Sequence, residues 1–60
     1  MPVKEIQDVL KKTYKDFAAL TAIRATMLDD GEENRACVLE DVLEHLTGTI
    51  VLLEKYLEED

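Results

Sequence analysis

Apolar residues recur every three or four positions through the first half of the chain. Val3, Ile6, Leu10, Phe17, Leu20 and Met27 keep this spacing, with Thr13 and Arg24 filling the polar steps between them. At about 100° per residue these positions share one face of a helix, and Val9, Tyr14 and Leu28 flank it. The pattern predicts a first helix from about Pro2 to about Leu28. Pro2 suits the first helical turn, where its missing N–H costs nothing. Neither Pro nor Gly occurs again until Gly31. Glu5 and Asp8 near the start complement the helix dipole. The opposite sector carries Lys4, Asp8, Lys11, Lys12 and Lys15, then changes to Ala18, Ala19 and Ala22.

The run Asp29-Asp30-Gly31-Glu32-Glu33-Asn34 is the one turn signal, and it sits at the midpoint of the chain. Gly31 can adopt the left-handed conformation that ends a helix. Asp30 and Glu33 have the spacing of a capping box for the next helix. Either device makes a tight connection over about residues 29–33, so the helices run antiparallel.

The second helix is predicted from about Glu33 to about Leu57, and it carries two apolar seams. One is Leu39, Leu43, Leu46, Ile50, Leu53 and Leu57, all Leu or Ile. The other is Val38, Val42, His45, Thr49, Leu52 and Tyr56, weakened by its two polar members. Together they span an arc of roughly 160°, wider than the stripe one helical neighbour covers. The expected fold is therefore all-α: an antiparallel two-helix hairpin that dimerises into a four-helix bundle. In that bundle Ile6, Leu10, Phe17 and Leu20 join the first seam and Val42 in the core. A groove on a different protein is the alternative cover for the second seam. Glu58-Glu59-Asp60 places acid at the negative end of the helix dipole and is expected to fray.

Length sharpens this reading. A chain of 60 residues makes one small domain. Such a chain buries only about 60% of the surface its unfolded form exposes, so it usually needs disulfides, metal or association. Cys37 is the single cysteine and His45 the single histidine, which leaves no intrachain disulfide and no usual Cys/His zinc spacing. The composition, 47% hydrophobic and 35% charged with two Gly and one Pro, suits long amphipathic helices rather than a disordered tail. No stretch approaches the roughly 20 apolar residues that span a bilayer, and no basic-then-apolar leader opens the chain. A cytoplasmic protein with no membrane partner is expected, and a lone thiol fits a reducing compartment.

The net charge of −7 disfavours general binding to phosphate backbones, but the charge is segregated. Five of the seven cations fall in the first helix, with Lys4, Lys11, Lys12 and Lys15 in one sector. That sector reads as a solvated face with pairs such as Asp8–Lys12. It also reads as a nucleic-acid or acidic-protein footprint, although few aromatics interleave it for base stacking. Arg24 lies near the middle of the apolar face of the first helix. It either reaches a carboxylate on the second helix, with Glu40 or Asp41 opposite, or anchors an acidic partner. Glu33, Glu40, Asp41 and Glu44 form an acidic stripe that a basic protein could read.

Catalysis and metal binding are not expected. Cys37 sits among Glu33, Glu40, Asp41 and Glu44, and acidic neighbours oppose thiolate formation. It lies two turns from His45, too far for a catalytic pair. No Glu-x-x-His motif of the di-iron bundles is present. Asp41 lies one turn before His45 and can orient it, and facing helices of a dimer could bring two copies of His45 together. Ala18, Ala19, Ala22 and Ala25 make a smooth flank on the first helix, and with Ile23, Gly48 and Val51 they either stay exposed or border a binding patch.

The small acidic chain, its midpoint turn and its paired helices resemble the repressor-of-primer family of plasmid proteins. Those dimerise into four-helix bundles that bind paired RNA loops. The resemblance is one of layout, and no functional motif aligns residue by residue, so it places no site. It implies that an acidic bundle can bind RNA through a locally basic face. The expectation drawn from the residues is a small regulatory protein without enzymatic activity, cofactor or metal. It would act as a homodimer that binds and inhibits or adapts another protein. RNA binding through the lysine face of the first helix is the alternative.

Overall fold

The computed structural model describes residues 3–59. Two helices account for nearly all of them: α1 (Val3–Asp29) and α2 (Glu33–Glu58), packed against each other as an antiparallel hairpin. The placement of Pro2 in the first turn and of Asp60 in an acidic tail lie outside the described residues.

The turn closes through the backbone. Gly31 takes φ +79°, in the left-handed region. The Glu32 amide donates to the Met27 carbonyl at 2.8 Å and the Gly31 amide to the Leu28 carbonyl at 3.1 Å. This is the Schellman closure, which satisfies carbonyls the end of α1 would otherwise leave open. The Glu32 carbonyl then accepts from the Ala36 amide at 3.0 Å and so begins α2. Glu32, not Asp30, is the N-cap residue of α2, and no side chain caps that end. The expected Asp30–Glu33 capping box is therefore not formed. Asp30 is still tied to α1 through its amide, which donates to the Thr26 carbonyl at 3.0 Å.

Packing follows the periodicity. Val3, Ile6, Leu10, Thr13, Phe17, Leu20, Arg24 and Met27 are the half-buried positions of α1, and every residue between them is exposed. On α2 the seam from Leu39 to Leu57 is half-buried or buried, and Ala36 extends it toward the turn. Thr13 keeps its place in the seam with its hydroxyl satisfied within the helix, donating to the Val9 carbonyl at 2.8 Å. The core is thin. Among the described residues only Ala36, at 2% exposure, and Ile50, at 7%, are buried.

The molecule is a rod of 46 × 15 × 11 Å with a Cα radius of gyration of 14.0 Å. A compact domain of this length would have a radius near 10 Å. The hairpin thus covers one face of each helix and leaves the rest to solvent.

Candidate interaction surfaces

The second seam of α2 is uncovered. Val38 is 63% exposed, Leu52 68%, Val42 and Tyr56 40% each. His45 and Thr49, in the middle of the seam, are exposed as well. Val42, expected in the core, therefore lies on this open flank. Asp41, Val42 and His45 line a shallow open depression of about 300 Å³ on it. The Thr49 hydroxyl donates to the His45 carbonyl at 3.1 Å, so its proton is satisfied within the helix while its oxygen can still accept.

Two contacts between the helices fix which flanks of the hairpin abut. The Tyr14 hydroxyl donates to Glu54 Oε2 at 2.8 Å. Arg24 Nη2 donates to Glu40 Oε1. Equivalent heptad flanks meet in an antiparallel pair, so the opposite flanks abut on the other side. By that register Val9 and Ile23 of α1 fall on the same flank of the hairpin as Tyr56 and Val42 of α2. All four are at least 40% exposed, so this broad side of the hairpin carries apolar residues from both helices, with the exposed charge of Asp16 between Val9 and Ile23.

The other broad side is acidic. Glu33, Glu40 and Glu44 are exposed on the far flank of α2, Glu54 and Glu58 continue the row, and exposed Asp41 stands at the edge between that row and the depression beside His45. Of the two carboxylates opposite Arg24, Glu40 takes the guanidinium. Arg24 is thereby tied within the chain, and its buried Nε lacks a hydrogen-bond partner. Arg35 Nη1 pairs locally with Glu32 Oε1 at 3.3 Å. These are the two ion pairs among the described residues, so Lys4, Lys11, Lys12 and Lys15 remain solvated on the outer side of α1.

The titration of Tyr14 is displaced. Its hydrogen bond to Glu54 raises its pKa above the usual 10.0, with smaller contributions from desolvation and from the Glu54 charge. Both residues were missed by the apolar pattern, which treats Tyr14 as a flank position. Matching equivalent flanks of an antiparallel pair would have joined them.

Cys37 is exposed, and its eight-residue separation from His45 is about 12 Å along the helix axis. Among the described residues no three His, Cys, Asp or Glu side chains converge as metal ligands. Among the described residues no helix is long and apolar enough to cross a membrane. The chain matches no protein family, no curated protein and no solved structure. The resemblance to the repressor-of-primer layout gains nothing from these comparisons and carries no residue role across.

Proposed function

We propose that this chain is a small, non-enzymatic regulatory protein of the cytoplasm. It acts as a homodimer and binds another protein, which it inhibits or adapts. What supports the reading is the division of α2. One flank is apolar and uncovered, and the other presents carboxylates to solvent. The apolar flank serves self-association, while the acidic stripe Glu33, Glu40, Asp41 and Glu44 reads a basic partner. A nucleic-acid-binding protein suits that stripe, because spaced carboxylates can stand in for phosphates.

Charge reversal tests this, using affinity capture from the native host with and without nuclease. Glu40 is engaged by Arg24, so the reversals belong at Asp41 and Glu44, which lie outside the hairpin contact. Asp41→Lys with Glu44→Lys should abolish capture of a nuclease-resistant protein, while Lys11→Glu with Lys15→Glu should leave it intact. The runner-up, RNA binding, rests on the open lysine sector of α1. It would show as nucleic-acid recovery that falls steeply with salt and disappears on lysine reversal. Recovery of nucleic acid alone with that behaviour would replace the first reading.

A further inference from the structure

The exposed seam of α2 reads the same in both directions. Its steps from Val38 to Tyr56 are four, three, four, three and four residues. Two copies of α2 laid antiparallel about a two-fold axis level with Thr47 therefore bring every seam residue against another seam residue. Val38 meets Tyr56, Val42 meets Leu52, and His45 meets Thr49. The two polar positions coincide at the centre, where an imidazole N–H can donate to the open lone pair of the Thr49 oxygen. A heptad shift one way would set His45 against Val42 and Thr49 against Val38, and the other way His45 against Tyr56 and Thr49 against Leu52, so neither shift keeps the two polar positions together, and a polar seam position selects register in this way.

Extending the palindrome one step at each end reaches Arg35 and Glu59, both exposed. The same axis sets Arg35 of one copy beside Glu59 of the other, twice. The longer-range charge agrees. Residues 17–45, the turn half of the hairpin, hold seven acidic and two basic side chains, so −5 of the net −7 sits there. An arrangement with both turns at one end would superpose those charges. The axis through Thr47 sends the turns to opposite ends, each beside the lysine-bearing end of the other copy.

Area is consistent with a second copy as occupant. A compact chain of 6.8 kDa exposes about 4,000 Å². The hairpin exposes 4662 Å². The excess, on the order of 700 Å², is close to the roughly 800 Å² per partner of a standard interface. The seam itself carries no formal charge, so two acidic copies can approach along it.

We infer that α2 pairs antiparallel with α2 of a second copy, in the register that sets His45 against Thr49 and Arg35 against Glu59, with the turns at opposite ends. The inference rests on the homodimer reading and specifies its geometry. The acidic stripes then face outward on both sides of the dimer, which displays two identical partner sites.

The test uses the full chain with Asp30→Cys in a Cys37→Ser background, nitroxide-labelled at the turn. Circular dichroism checks that the helices persist. Seventeen residues separate Asp30 from the level of the axis, so pulsed EPR should report about 50 Å between labels. A distance of about 25 Å or less would put the turns at one end, overturning the geometry while keeping the dimer. A 6.8 kDa species with no dipolar coupling would overturn the homodimer reading itself. Charge exchange reads the register independently. Arg35→Glu should weaken dimerisation about tenfold, and adding Glu59→Arg should restore it to within about threefold. Failure of that rescue would overturn the register.

Discussion

At the residue scale, Gly31 and Gly48 occupy contrasting sites. A methyl group at either would meet nothing within 4 Å, so space does not separate them. Conformation does. Gly31 holds φ +79°, where an L side chain is strained, whereas Gly48 is helical. Gly31→Ala should cost about 1 kcal/mol. Gly48→Ala should instead gain about 0.5–1 kcal/mol, because a helical glycine loses more backbone freedom on folding. Thermal or urea unfolding of the two variants checks the opposite signs. Tyr14 gives a second residue-scale prediction. Its folded pKa is raised by donation to Glu54. A group raised on folding contributes its stability fully below the unfolded value, near 10, and loses it as pH rises through the folded value. Ultraviolet titration in a Tyr56→Phe background should find Tyr14 above 10.0, and Glu54→Ala should return it to the ordinary value.

At the scale of the element, the phase of each helix is the main determinant. Ile50→Ala truncates a buried side chain and should cost about 2–5 kcal/mol. Its neighbour Val51 is 56% exposed on the far side of α2, and Val51→Ala should cost under about 0.5 kcal/mol. Equal losses at the two positions would mean that the helix presents another face. This phase was legible in the sequence because a 3–4 spacing held over many turns admits one helical face, and the half-buried residues of α1 are the ones that spacing picked out. The start of α2 was less legible. Asp30 and Glu33 had capping-box spacing, but the Schellman closure uses Glu32 as the last link of α1 and the first of α2, so Asp30 never reaches the N-cap position. Glu40 and Asp41 were both placed opposite Arg24 by the midpoint turn. Choosing between them needed the turn geometry, since one residue rotates a helical position by about 100°.

For the whole molecule, the hairpin covers one face of each helix and leaves the second seam of α2 exposed. It encloses little, with two buried residues among those described along a 46 Å rod. The candidate surfaces lie outside the core, where periodicity says only that a position is not central. Their roles depend on what else approaches, and one chain does not contain that information. The palindrome of the second seam is the exception, since a second copy brings the same spacing with it. The account therefore stands or falls on association. Sedimentation equilibrium of the unmodified chain at micromolar concentration tests it most directly, with Leu52→Glu as the interface variant. The account predicts a species of about twice 6.8 kDa, a melting temperature that rises with concentration, and loss of both in Leu52→Glu. A 6.8 kDa species with a cooperative melt independent of concentration would contradict it.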